Sequence, residues 1–288
     1  MKLTGGQLAQ YRQDGYLVFP GLLNDAEVAV LQGDVPTLQS ARRVYSDANV
    51  MTESGGVRSS YSPGLDSQAF DAVCRLPRIL EPVRQLLGGD VYLYQSRLNA
   101  KPKADPGATW QWHQDFPSWY HDGIPEPKMM TALVLVSDCT EENAPLMMIP
   151  QVHGRGTLDY FYDTESTEYA LNSLPPGTVE ALSSESPPVS MTGKAGTVVF
   201  FDCLAPHSSG ANTSDAPRNL TFYVFNRFDN QVSGDQKRRP HRSPYLLNHD
   251  IEKLTPIADN ALLTLQEACL LYTSPSPRDG LLSRMPSA

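Results

Sequence analysis

The sequence predicts a mainly β fold with flanking helices, a double-stranded β-helix (jelly-roll) barrel. Three observations carry this. From about residue 90 the apolar positions follow a strand period. Strand-like runs then follow one another at 129–138, 145–150, 196–202 and 219–226, separated by Pro, Gly, Asn and Asp. A chain of 288 residues, 40% hydrophobic, is large enough to bury the core of one such unit.

The elements come in order. A short amphipathic helix holds Leu8 and Tyr11, and "GYLVFPGLL" reads as a strand ending in a turn. Asn24 caps the next helix, with Glu27 three residues on completing a capping box, and Val28, Leu31 and Val35 give it an apolar stripe. In "VYLYQSRLNAKP" simple alternation puts Val91, Leu93, Gln95, Arg97 and Asn99 on one strand face; periodicity alone assigns that polar face to solvent. The stretch 157–192 is rich in Ser, Glu and Pro and reads as a surface insertion or lid. One domain is expected over 1–271. Residues 272–288 carry no core pattern and read as a disordered or foreign tail.

Bulk charge narrows the partners. Lys and Arg number 23 against 32 Asp and Glu, a formal charge of −9, which predicts a small-molecule substrate and no nucleic acid. The one basic run, "QKRRPHR" at 236–242, reads as a solvated loop. No run approaches the ~18 apolar residues of a membrane span, so no membrane partner is expected. The opening "MKLTGGQLAQY" lacks a leader's apolar stretch, and Cys74, Cys139, Cys203 and Cys269 form no C-x-x-C pair. The expectation is a cytoplasmic monomer or homodimer with reduced thiols.

The chemistry centres on "WQWHQDFPSWYHDG" at 110–123. His113 and Asp115, at i and i+2, share a face if the segment is extended. A neutral imidazole and a carboxylate can hold a divalent metal, and His207 is the best third ligand. Two His and one carboxylate form the facial triad of non-haem Fe(II) oxygenases, but the same set also serves catalytic zinc. Arg218 lies eleven residues after His207. A buried Arg wants a carboxylate. A dicarboxylate held on iron by its 2-oxo acid end would present its far carboxylate there, with Ser209 adding a hydrogen bond. A Zn-dependent hydrolase and a catalytically silent, metal-binding cupin-like barrel remain as alternatives.

H-x-D followed by H-x10-R resembles the Fe(II)/2-oxoglutarate-dependent dioxygenases, and the chain from about Leu8 to Arg227 is similar to their phytanoyl-CoA dioxygenase (PhyH) branch. Within it, "QSRLNAK", "DFPSWYHDGIP", "NAPLMMIP" and "FFDC" resemble ectoine hydroxylases. The resemblance implies Fe(II) on His113, Asp115 and His207, with O2 as oxidant and ascorbate assisting. It implies 2-oxoglutarate on Arg218, Ser209 and Asn99, and a small zwitterionic substrate, ectoine or a free amino acid. Gln95, Arg97 and Trp119 would contact that substrate, walled by Phe201 and Phe222. Hydroxylation would release succinate and CO2, and the polar face of the 91–99 strand would then point inward. Departures accompany the resemblance. Ectoine hydroxylases carry Ser where Gln114 stands and Glu-Thr at Pro117-Ser118; the aromatic loop is one residue shorter here, and Leu220 replaces an expected Asn. "HQDF" and "DGIPEP" resemble instead hydroxylases of free amino acids, such as leucine 5-hydroxylase.

The remaining conspicuous side chains receive structural readings. Trp110 and Trp112 are assigned to the core, and His121 and His153 to structural or exposed positions. His241 and His249 are read as solvent-facing, Asp202 as a turn residue and Cys203 as a small buried hydrophobe.

Overall fold

The computed structural model describes residues 1–40, 50–53, 56–103, 109–166, 170–232 and 251–265. The basic run 236–242, His241, His249, Cys269 and the tail 272–288 lie outside the described residues.

The N-terminal region folds as read, by local rules. Helix α1 (Gly5–Asp14) ends at Gly15, whose φ of +83° is left-handed; a Cβ there would lie 2.6 Å from His153 Nδ1, so only glycine fits. Strand β1 (Tyr16–Phe19) follows. Helix α2 (Asp25–Leu38) starts at the capping box, with the Glu27 backbone N–H donating to Asn24 Oδ1 (3.1 Å) and the Asn24 N–H to Glu27 Oε2 (3.0 Å). Val28, Leu31 and Val35 are all buried, as their spacing predicts. Beyond the simple pattern, the chain adds β2 (Val50–Glu53), β3 (Gly56–Tyr61), α3 (Gln68–Val73) and α4 (Pro77–Leu87) before β4 (Val91–Lys101).

The later strands are β5 (Trp110–His113), β6 (Met129–Leu135), β7 (Leu146–Met148), β8 (Phe161–Asp163), β9 (Leu171–Ser173), β10 (Val189–Met191), β11 (Val198–Asp202), β12 (His207–Ser209) and β13 (Arg218–Arg227). They form two antiparallel sheets, ordered β1-β11-β6-β13-β4-β3-β2 and β10-β7-β12-β5-β9-β8. One face of the larger sheet packs on the helices through Leu98, Ala132, Val134, Phe200, Tyr223 and Phe225. Its other face meets the smaller sheet, with Leu133, Leu135, Phe201 and Phe222 against Leu146, Met148 and Met191. This is the jelly-roll the sequence predicts.

Two helices fall among the later strands. Helix α5 (Phe116–His121) follows β5, and α6 (Pro176–Glu185) lies within the 157–192 stretch. That stretch also supplies β8, β9 and β10 to the smaller sheet, with Ser173 opposite His113.

One expectation is overturned in β4. Gln95 pairs with Val224, but the next pair is Leu93 with Phe225, leaving Tyr94 as the extra residue of a bulge. The bulge reverses the phase. Val91 and Leu93 join Leu98 in the helix-facing cluster, while Tyr92 and Tyr94 pack with Trp119. The residues 91–99 therefore do not share a single alternating face. The solvent assignment fails as well: Arg97 and Asn99 line an internal cavity between the sheets.

Candidate metal centre

His113 ends β5 and His207 opens β12, and the two are directly opposite in register. Their rings lie 4.2 Å apart, centroid to centroid. Asp115 follows β5 in a helical backbone conformation (φ −71°, ψ −39°), not an extended one. It reaches the same space by a turn and not by strand alternation. Its carboxylate oxygens stand 3.8 Å from His113 Nε2 and 3.8 Å from His207 Nε2. One ligand atom from each residue lies within 4.8 Å of the others, and all three residues are buried.

The protonation pattern suits a metal. His113 Nδ1–H donates to the Gln111 carbonyl (2.6 Å) and His207 Nδ1–H to the Ala205 carbonyl (3.0 Å), an assignment that follows from the acceptors present. Both Nε2 lone pairs are then turned to the shared space. Burial, and next the neighbouring His207, pushes His113 down to about 3; burial also lowers His207. Both rings are neutral at pH 7. Among the described residues His207 Nε2 and Asp115 Oδ2 have no hydrogen-bond partner. Two imidazole lone pairs and a carboxylate converge, an arrangement a divalent cation satisfies. The residues fit an iron ion.

The cavity runs from this centre to Arg218, the first residue of β13. Arg218 is 2% exposed; its Nη1 donates to the Ala144 carbonyl (2.6 Å), and among the described residues its Nε has no partner. Burial lowers its pKa to about 10, which leaves it charged at neutral pH. Asn99 and Ser209 line the passage between. Asn99 Oδ1 accepts from Ser59 Oγ (2.7 Å). Leu146, Phe222 and Trp110 supply apolar wall.

Trp110 corrects a second expectation, for it borders the cavity and is not core. The Arg97 guanidinium sits 5.5 Å from the Trp110 ring and 4.7 Å from Phe222, while Arg58 lies over Trp110 at 5.3 Å. Trp112 does pack inward, against Ile149, Val152 and Leu182. Phe201 sets its edge toward His207 at 5.2 Å, and Gln95 is buried on β4. Trp119 lies in a separate buried cluster, edge-on to Tyr94 at 5.8 Å, and does not line this cavity. His121 is exposed beside Tyr160 Oη (2.9 Å), and Asp202 Oδ1 accepts the Leu204 N–H (2.9 Å), a turn role as read.

Sequence reasoning missed two side chains that hold the site. Gln114, the middle residue of H-x-D, donates to the carbonyls of Leu204 (2.7 Å) and Gly156 (3.0 Å) and accepts from the Leu158 N–H (2.9 Å). It ties the metal strand to the turn before His207. Lys101, fully buried, donates to Ser209 Oγ (2.8 Å). Its place at the inward end of a strand parity shared with Arg97 and Asn99 was the available signal.

The jelly roll and its buried His-Asp-His face, with a buried Arg at the far end of the cavity, define the non-haem iron, 2-oxoglutarate-dependent class of dioxygenase. The chain belongs to the phytanoyl-CoA dioxygenase (PhyH) family, whose model matches residues 11–220. It is 34% identical to the ectoine dioxygenase of Bordetella parapertussis over 80% of this chain and 78% of that protein. It is 31% identical to the L-proline trans-4-hydroxylase of Streptomyces griseoviridis over 86% of this chain and 94% of that protein. The fold is also that of EctD from S. alaskensis, solved with 2-oxoglutarate and 5-hydroxyectoine. There the TM-score is 0.74 and the identity 30%, over 89% of this chain and 86% of that one. Among the described residues no helix is long and apolar enough to cross a membrane.

Proposed function

We propose that the protein hydroxylates a small zwitterionic metabolite, ectoine or a free amino acid, using Fe(II), 2-oxoglutarate and O2. The observation that carries this is one cavity with two poles. At one pole the unpartnered His207 Nε2 and Asp115 Oδ2 converge beside His113; at the other stands the desolvated Arg218 guanidinium. A group that binds metal through one end and carries a carboxylate at the other spans it. Arg218 and Ser209 have no comparable task in a zinc hydrolase.

In this reading His113, Asp115 and His207 hold the iron, which when bound supplies activation of O2 coupled to oxidation of 2-oxoglutarate to succinate and CO2. Arg218, Ser209 and Asn99 orient 2-oxoglutarate. Gln95, Arg97, Phe201 and Phe222 form the substrate side, and Trp119 backs it through Tyr94. Arg97, stacked between Phe222 and Trp110 with its Nε unpartnered among the described residues, is a pre-oriented cation suited to a substrate carboxylate. The protein's own share is positioning and exclusion of water, with 157–192 as the closing segment. Cys74, Cys139 and Cys203 are free thiols, which supports a reducing cytoplasmic setting.

The test is a panel of ectoine, proline and leucine with Fe(II), 2-oxoglutarate, O2 and ascorbate. Mass spectrometry reads the gain of one oxygen, and a parallel assay reads succinate. Iron-dependent hydroxylation of at least one zwitterion is expected. Succinate release driven only by an acyl-CoA would overturn the substrate class, and activity with zinc alone would overturn the chemistry.

A further inference from the structure

A second cavity, of about 210 Å³, lies between α1, α4, the end of β11 and the turn at His153. It shares no lining residue with the cavity between the sheets. Its size falls below the ~300–1,000 Å³ of ordinary ligand pockets, so an occupant must be compact. Leu8 and Leu86 form apolar sides. The polar groups are notable for the partners they lack. Tyr11 lines the cavity and is 7% exposed, yet its buried Oη makes no hydrogen bond among the described residues. A buried hydroxyl without a partner is costly, and a ligand that supplies one removes that cost. Asp202, half-buried, gives Oδ1 to the Leu204 N–H. Arg12 is exposed at the rim. Among the described residues neither Arg12 nor Asp202 has an ion-pair partner, although both line this cavity. Gln85 is already committed: its Oε1 accepts the Leu3 N–H (2.6 Å) and its Nε2 donates to the Leu3 carbonyl (3.3 Å). His153 closes the remaining side and packs its Nδ1 against Gly15.

A guanidinium and a carboxylate that line one small cavity without pairing match a ligand carrying both charges. We propose that this cavity is a second binding site, for a compact zwitterion of the amino acid type: its ammonium donates to Asp202 and Tyr11 Oη, and its carboxylate accepts from Arg12. The proposal is independent of the hydroxylation reading above, since none of its residues holds the iron or faces the barrel cavity. Leu8 and Leu86 flank the ligand's carbon stem. An occupant touches the turn that leads to His207, because Asp202 Oδ1 holds Leu204, whose carbonyl accepts from Gln114 (2.7 Å).

The test is ligand-observed NMR titration of the full chain at pH 7 without added metal. The probes are glycine, β-alanine and 4-aminobutanoate, which set the two charges at increasing separation, and methylammonium and acetate, which carry one charge each. At least one zwitterion is expected to bind one-to-one. Acetate should bind at least tenfold more weakly than that zwitterion, the scale of one lost hydrogen bond between charged groups, and methylammonium about threefold more weakly, since the Arg12 contact is exposed. Asp202→Asn should weaken the zwitterion at least tenfold, Tyr11→Phe about fivefold and Arg12→Met about threefold. Leu8→Trp, which fills the space, should abolish binding. Arg97→Met, which alters the other cavity, should leave affinity within about twofold. If Asp202→Asn does not fold, Tyr11→Phe and Leu8→Trp decide the matter. No binding of any zwitterion at ~10 mM, where a Kd of 1 mM would already give near-saturation, would overturn the proposal. So would acetate binding as tightly as the zwitterion, which would mean an anion on Arg12 alone. Binding lost in Arg97→Met but kept in Tyr11→Phe and Leu8→Trp would place the probe in the barrel cavity and overturn it as well.

Discussion

Arg218→Met separates anchoring from folding. Methionine keeps the stem and removes the guanidinium. Arg218 donates to the Ala144 carbonyl, while among the described residues its Nε has no partner. Removing it leaves Ala144 without that donor but also relieves a desolvated charge. These terms oppose, so the ligand-free protein should change by no more than about 1 kcal/mol. Ligand binding has no such compensation. Two charge-assisted hydrogen bonds to a carboxylate, at roughly 1.5–3 kcal/mol each, amount to about 3–6 kcal/mol, or roughly 10²–10⁴ in Kd. The assay is thermal denaturation with Mn(II), with and without 2-oxoglutarate. At about 100 times Kd the wild type gains about 2.7 kcal/mol, which raises Tm by roughly 5–10 °C. The variant should gain at most about 0.4 kcal/mol at the same concentration, roughly 1–2 °C, because a 10²-fold loss leaves it half-saturated and a 10⁴-fold loss almost empty. Its Mn(II)-dependent shift should persist, since the metal face is untouched. A variant shift equal to that of the wild type would refute the assignment of Arg218 as the carboxylate anchor.

Three further outcomes follow from the same geometry. His207→Ala should abolish the visible absorption of bound Co(II) while leaving the ligand-free Tm unchanged or higher, since it removes one of three converging lone-pair donors; retained absorption would contradict the triad. Gln114→Leu strips partners from the Leu204 and Gly156 carbonyls and the Leu158 N–H. It should cost about 3 kcal/mol or more in urea unfolding, and a loss under ~1 kcal/mol would deny Gln114 its bracing role. Asp202 titrates above its ordinary value, chiefly because it is buried. The folded chain therefore keeps that proton to higher pH than the unfolded chain does. The stability it contributes is fully present below the ordinary carboxylate range and is lost as pH rises through the folded pKa. Asp202→Asn retains an acceptor for the Leu204 N–H, so its stability relative to wild type should rise between pH 4 and 7 in urea titrations. A difference that stays flat or runs the other way would contradict the shift.

What the sequence makes legible is what local rules determine. The Asn24–Glu27 box needs only four consecutive residues, and Arg218 is marked by its distance from His207. The phase of β4 was not legible, because a bulge is decided across the ladder: Tyr94 becomes the extra residue only when Val224 and Phe225 claim Gln95 and Leu93. Trp110 was assigned inward because a tryptophan beside a metal strand usually packs. Only the partners, Arg97 and Arg58 on its ring, reveal a cavity wall. The stretch 157–192 shows little periodicity because its strands are three residues long and drawn into the sheet by pairing with β5 and β7. Segments so short carry no period to read.

The same placement sorts the departures from the ectoine hydroxylase pattern. Gln114 sits between two metal ligands, so its difference from serine looks at first like a change in the site. Its side chain, however, spends its hydrogen bonds on Leu204, Gly156 and Leu158. It braces the scaffold, and a serine is too short to span those three groups. Leu220 is different. It lies on the face shared by Arg218 and Phe222, opposite Asn99, and packs with Leu133, Leu135 and Phe222. An apolar side chain there extends the inter-sheet apolar cluster beside Arg218 in place of an amide donor and acceptor. The third departure, the shortened loop, falls on α5, where Trp119 packs against Tyr94 and away from the cavity. Of the departures, Leu220 lies beside the carboxylate anchor and the shortened loop beside the Tyr94–Trp119 cluster, whereas Gln114 bears on how firmly His207 is held.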